Sequence, residues 1–232
     1  MLPTPDTSHI DPLTTYEPSS DSFLILDTLT SDAPFLSQRF PRSSPTPLIL
    51  ELGTGSGIVS AFIASQPVAL FGRPDLLLLG TDINPFACAA TTITLSRIPP
   101  PHPFLGALTA DLFSPIKAHS ADLLVFNPPY VPTPGVPEAR PLEGETRWDQ
   151  ESRLAALAYA GGSDGMQVTW RVLEALQDVL SPRGVAYVLL CAANKPTEVS
   201  AVMQRWGWTC EKVGESGRKG GIEKLDVWRI WR

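Results

Sequence analysis

The chain predicts an α/β protein: a doubly wound, seven-stranded, mostly parallel sheet in a single domain. Three observations carry that expectation. Short apolar runs alternate with helix-length segments along most of the sequence, the pattern of parallel strands joined by crossover helices. The first run opens into a glycine turn, "ELGTGSG", a strand-to-helix junction typical of such sheets. The last two runs, "WTCEKVGES" and "EKLDVWRIWR", fit an antiparallel pair closing the sheet.

The elements come in this order. "SDSFLILDTLT" reads as a helix entered after Pro18, with Ser19 or Ser20 as its cap. "SSPTP" interrupts, and Leu48 to Leu52 is a short buried strand followed by the glycine turn and one helix over Val59 to Leu70. Asp75 to Asp82 is the second strand, and "NPFACAATTITLSR" is a helix that ends before "IPPPHP". Strands three and four are Phe104 to Asp111 and Ala121 to Phe126. The proline-rich stretch from Val131 to Trp148 lacks periodicity. Loops of that length are commonly functional, and this one is expected to order around a protein substrate. "ESRLAALAYAGG" and "GMQVTWRVLEALQDVLSPRG" are helices with glycine stops. "VAYVLLCA" is strand five, and Pro196 to Trp206 is the last helix. Residues 1–15 read as an extension and 16–232 as the domain.

Bulk properties narrow the function. The 232 residues carry a formal charge of −6, so no strongly basic face awaits duplex DNA or RNA, although a partner can supply such charge. Three scattered cysteines give no disulfide framework, which suits a reducing cytosol. His9, His102 and His119 lack zinc-like spacing with them, and no metal site is expected. "MLPTPDTSHIDPL" has no basic start and no apolar core, so no secretory leader is expected. The longest apolar run is too short to span a bilayer.

Ligands of open α/β sheets sit at the carboxyl ends of strands, and four predicted strands end in functional residue types. Strand one supplies Glu51, Gly53, Thr54 and Gly55; glycines admit a ligand to the backbone, though a tight turn needs them anyway. Strand two ends in Asp82, which suits two ribose hydroxyls or the cap of the next helix. Strand three ends in Asp111 and Leu112, an acceptor for an exocyclic amine beside an apolar face, or again a cap. Strand four ends in Asn127-Pro128-Pro129-Tyr130. An amide or aromatic NH2 is a poor nucleophile, because its lone pair is delocalised. The Asn127 side-chain oxygen and the Pro128 carbonyl can each accept one N–H and orient such a nitrogen. Prolines stiffen the turn without adding a donor, and Tyr130 offers a flat face.

"ELGTGSG", "TDINPFA" and "NPPYVPT" together resemble class-one S-adenosylmethionine-dependent methyltransferases, and within them the HemK-like glutamine methyltransferases that modify release factors. "YEPSSDSFLILD", "AYAGGSDGM" and "LSPRGVAYVLLCAANKP" are similar to the eukaryotic cytosolic branch. The resemblance implies a Rossmann-like methyltransferase fold and S-adenosyl-L-methionine as cofactor, released as S-adenosyl-L-homocysteine. It implies the Gly-Gly-Gln glutamine of the class-one termination factor as substrate, and a small zinc-binding activator as heterodimer partner, working in the cytoplasm or nucleus. Carried onto this chain, Gly53, Thr54 and Gly55 would line the methionine part of the cofactor with Glu51 near its amino end. Asp82 would hold the ribose, Ile83 would flank the adenine, and Asp111 and Leu112 would meet its edge and face. Asn127, which would also touch the cofactor, and Pro128 would accept the glutamine NH2, with Pro129 in the same turn and Tyr130 beside the substrate. Tyr16, Glu17 and Ser22 would close over the cofactor. Ser20 and Ser22 stand where the family has an acid and a threonine.

Adenine-N6 methylation of DNA or RNA uses the same NPPY chemistry but wants a basic groove, and lysine methylation is a further activity of the same class. A nicotinamide oxidoreductase would need G-x-G-x-x-G, where this chain has G-x-G-x-G. A silent scaffold is disfavoured by the complete NPPY. The usual doubly wound order puts strand three at a sheet edge, an apolar ladder on which the activator would dock through Phe104 to Thr109.

Overall fold

The computed structural model describes residues 2–100, 102–140, 142–217 and 224–232. Seven strands form one sheet in the order β3-β2-β1-β4-β5-β7-β6. They are β1 Leu48–Leu52, β2 Leu77–Asp82, β3 Phe104–Thr109, β4 Ala121–Phe126, β5 Leu180–Cys191, β6 Thr209–Glu215 and β7 Leu225–Trp231. The first five run parallel, and β7 inserts antiparallel between β5 and β6. The seven-stranded, mostly parallel expectation therefore holds, as does β3 at the edge.

Both faces of the sheet are covered, which is why the central strands read as unbroken apolar runs. Side chains alternate between the two cores with the two-residue period of a strand. Ile49, Leu123, Val125, Tyr187 and Leu189 pack under α1 (Ser20–Ser31), α2 (Ala33–Arg39), α3 (Ile58–Ser65) and α4 (Pro67–Phe71). Leu50, Leu52, Leu124, Phe126 and Val188 pack under α7 (Gln167–Val179) and α8 (Pro196–Arg205). The remaining helices are α5 (Pro85–Ser96) and α6 (Arg147–Ala156).

Two local expectations differ from the structure, and one helix goes beyond them. The single helix over 59–70 is two, because Pro67 lacks an N–H and pushes Gln66 out of helical geometry (φ −129°), restarting the turn as α4. The α7 helix stops at Val179, and "LSPRG" enters β5 through a register shift beside Ala121 instead of extending the helix. The helix α2 follows directly on α1 and shares Asp32 as its flanking residue.

The extension is packed against the domain. Asp6 pairs with Arg97 at 2.6 Å, His9 Nε2 lies 3.1 Å from the Ala90 carbonyl, and the Thr14 carbonyl accepts from Asn84 Nδ2 at 2.8 Å. Described parts of the 131–148 stretch are likewise tied down. Arg153 pairs with Glu145 at 2.6 Å and bonds the Glu138 carbonyl, while Val131 bridges to Ala160. At the sheet edge, Leu105 and Leu108 of β3 are 59% and 41% exposed. Among the described residues no helix is long and apolar enough to cross a membrane, and all three cysteines are free.

Candidate active site

A cleft of about 310 Å³ opens at the carboxyl ends of β3, β2, β1 and β4, at the point where the strand order reverses. Each of these strands hands its next few residues to the cleft wall. After β1, Gly53 and Gly55 line the cleft with φ of +64° and +51°. A side chain on Gly55 would meet open space, so its backbone is bare to the cavity. Gly57 has a different duty: it starts α3 at φ +76°, and a Cβ there would sit 2.7 Å from the Thr91 Cα.

After β2, Asp82 spends one bond per carboxylate oxygen, taking Gly55 N–H at 2.9 Å and Asn84 N–H at 2.8 Å. Burial pushes its pKa up while those backbone donors oppose the rise. Each oxygen keeps a further lone pair for a hydroxyl. The cap of α5 is Asn84, whose side chain accepts from Phe86 N–H at 3.0 Å. Asp82 is thereby free for a ligand. If Asp82 holds the hydroxyls of a ligand, replacing it with Ala is expected to weaken that ligand by about 1–3 kcal/mol, read by calorimetry with S-adenosylmethionine as probe; unchanged affinity would remove Asp82 from that role.

After β3, Asp111 and Leu112 both line the cleft. Leu112 holds φ +51°, a conformation a leucine adopts only where surrounding structure imposes it. Asp111 accepts from Arg171 at 2.7 Å, and both side chains are about half exposed. After β4, Asn127 and Pro129 line the cleft, and Phe126 forms its floor. Asn127 Nδ2 donates to Asp21 at 3.0 Å, whereas its buried Oδ1 accepts no hydrogen bond among the described residues. Such an acceptor is costly to leave unpaired and marks a place for a ligand donor. The remaining wall is apolar: Val136, Pro137 and Ala139 from the loop, Leu154 and Ala158 from α6 and beyond.

The structure brings Tyr16, Gly53, Gly55, Asp82, Ile83, Asp111, Leu112, Asn127 and Pro129 onto one cavity. Six other expected residues are not on its wall. Glu51 is buried and turned to α3, accepting from Ser60 N–H at 2.9 Å and from the Ser60 hydroxyl. Thr54 is buried against Gly80 of β2. Glu17 is exposed outside the cleft, and the Ser22 hydroxyl is spent on Asp21 at 3.2 Å and Ser19 N–H. Pro128 is buried, and Tyr130 packs on the core beneath α1 to α4. Buried polar groups take the nearest partner, and for Glu51 and Ser22 that partner lies inside the fold.

Burial raises the Glu51 carboxyl to about 8, against an ordinary value of 4.5. The folded state then holds a proton the unfolded chain releases, so stability falls as pH rises from about 5 to 8. Glu51→Gln should flatten that decline, an effect on the order of a few kcal/mol across the window. Thermal unfolding at three pH values reads it; parallel slopes for both proteins would place Glu51 as already ionised.

Sequence reasoning passed over Asp21, Arg171 and Asn194, and it weighed Asn84 only as a cap of the next helix. Asp21 stands inside the quoted "YEPSSDSF", and Asn84 carries an Asn-Pro capping signal. Arg171 lies on an amphipathic helix, where no motif marks it. Asn194 is 4% exposed and reaches the Tyr130 carbonyl at 3.2 Å.

Fold and cleft together define a class-one methyltransferase. The "eRF1 methyltransferase catalytic subunit mtq2" of Schizosaccharomyces pombe is 34% identical over 240 aligned positions, covering 100% of this chain and 96% of that one. The human "Methyltransferase HEMK2" is 37% identical across 91% of this chain and 87% of its own. The chain therefore belongs to the HemK-like methyltransferase family, in its Mtq2/HEMK2 branch. A solved complex of E. cuniculi Mtq2 with Trm112, described as methylating the termination factor eRF1, shares the fold at a TM-score of 0.60 and 23% identity, covering 94% of this chain and 99% of that one. No protein-family model matches the chain.

Proposed function

We propose that this protein methylates the side-chain amide nitrogen of glutamine in the Gly-Gly-Gln loop of the class-one termination factor, using S-adenosyl-L-methionine. One observation carries the reading: the buried, unpaired Asn127 Oδ1 in a proline-stiffened turn on the cleft. It can accept an N–H from a planar amide and hold its nitrogen in line with a methyl donor. The names of the relatives, each a methyltransferase and one an eRF1 methyltransferase, support the same substrate.

The residues present fit the cofactor. Gly53 and Gly55 leave backbone room, Asp82 offers acceptors for ribose hydroxyls, and Asp111 with Leu112 offers an edge and a face for adenine. When bound, the sulfonium supplies an already activated methyl group. The chain's own work is alignment: Asn127 orients the acceptor nitrogen, and the apolar wall of Val136, Pro137 and Leu154 excludes water. Small neutral neighbours of a glutamine suit that wall. The protein works in the cytoplasm, where three free thiols persist.

The partner is a small zinc-binding activator that docks on the β3 edge. The exposed Leu105 and Leu108 and the unpaired outer ladder of β3 favour strand addition there, and the Mtq2 neighbour is a complex with Trm112. Charged substitutions at Leu105 and Leu108 should abolish co-purification with such a partner; retained co-purification would move the interface elsewhere.

The deciding assay offers labelled cofactor to termination factor, to a variant lacking the loop glutamine, to DNA oligonucleotides and to histone-type peptides. Label on the factor that disappears with the glutamine is expected. Label on DNA alone would turn the reading to adenine-N6 methylation.

A further inference from the structure

The Asn127 side chain has two chemically opposite ends, and only the oxygen can serve an incoming NH2 group. Asp21, which lines the same cleft, holds the nitrogen end and leaves the oxygen unpaired. Asp21, the second residue of α1, is 3% exposed. Its Oδ2 accepts Asn127 Nδ2 at 3.0 Å and the Tyr16 hydroxyl at 3.3 Å. Its Oδ1 accepts Ser22 N–H at 2.6 Å and the Ser22 hydroxyl at 3.2 Å. The carboxylate is thus held from both sides, with one oxygen turned to the NPPY corner.

An ionised carboxylate only accepts, so the Asn127 atom that faces it must be the nitrogen. A flipped amide would set two buried acceptors against each other. We propose that Asp21 is the positioning residue that fixes the amide orientation of Asn127 and so keeps Oδ1 as the acceptor of the substrate nitrogen. The inference rests on the methyl-transfer reading above but not on its substrate. It gives the first turn of α1 a role in the chemistry, although it lies far from NPPY in sequence.

Asp21→Asn keeps the shape while offering Asn127 either an oxygen or a nitrogen, so the orientation bias is lost. We expect kcat to fall 10- to 100-fold, with the substrate KM and the cofactor Kd each within threefold of the unaltered enzyme. A structural role alone would not give that split. Turnover is compared on whichever substrate the unaltered enzyme methylates, so that a failed termination-factor reading leaves this comparison intact. A kcat within threefold of the unaltered enzyme, or a matching loss of cofactor affinity, would overturn the proposal. A readout needing no variant covers the case in which Asp21→Asn does not fold. In the intact protein the Asn127 side-chain amide protons should exchange slowly in nuclear magnetic resonance spectra, because Asp21 holds them. Exchange at the rate of a free asparagine would equally sink the proposal.

Discussion

Asn127→Ala is expected to lose at least about 10²–10³ in kcat, the scale on which one preorganised partner at a reacting centre is worth. Cofactor affinity should stay within a few fold. The asymmetry arises from where the contacts lie. In the proposed reading the glycine backbone, Asp82 and the Asp111–Leu112 corner serve the cofactor, at the ends of β1, β2 and β3. Asn127 follows β4 beside the glycine turn, and its only side-chain bond among the described residues is the one to Asp21. Removing it deletes the oriented acceptor and little that a nucleoside would touch. Single-turnover rates and calorimetry on the same protein separate the two quantities. Loss of both in equal measure would contradict this division, as would retention of turnover.

Gly165→Ala is expected to be the most damaging change outside the cleft. A Cβ at Gly165 would lie 2.2 Å from the Tyr130 carbonyl oxygen and 2.7 Å from Asn194 Nδ2, on a backbone with φ +72°. Neither neighbour is the end of a flexible chain free to swing away. Asn194 is itself fixed by Cys191 N–H at 2.9 Å, and Tyr130 comes straight after the two prolines of the active-site turn. The NPPY corner must shift, or the 161–165 segment must unseat. We expect destabilisation of about 2–4 kcal/mol. That corresponds to a midpoint lowered by roughly 5–15 °C for a chain of this size. In the folded fraction a displaced corner should also slow methyl transfer by tenfold or more. Gly207→Ala is the control, with φ +84° and nothing within 4 Å of the added carbon. It carries the backbone strain without the collision, so the difference between the two midpoints measures the contact alone. Equal shifts would mean that the corner is not buttressed by Gly165.

These contacts explain what could be read from the residues and what could not. The strands were legible because both faces are buried, which leaves runs such as "LLLLG" and "ADLLVF" with little else to be. The glycine turn, Asp82 and NPPY were legible because each comes directly after a strand, where the fold exposes the next residues of the chain. Asp21 was not, although it stands in plain view in "YEPSSDSF". An acid in the first turn of a helix satisfies a local rule, and only the long-range approach of β4 to α1 gives it a second meaning. Glu51 shows the same limit from the other side: adjacency to the glycines suggests a ligand contact, and only the folded chain brings the Ser60 N–H at the amino end of α3 to its carboxylate. The Pro67 break was readable from backbone chemistry alone, and the apolar period across it concealed it.

The belt of residues before α1 bears on how the protein can be handled. It lies across α5 and fastens by the Thr14 carbonyl to Asn84, which is itself part of the cleft wall. Trimming the chain at Tyr16 would therefore do more than shorten a tail. It would strip one face of α5, unclasp a cleft residue and leave Tyr16 hinged at a raw end, so shortened versions should be judged on ligand retention before their catalysis is compared.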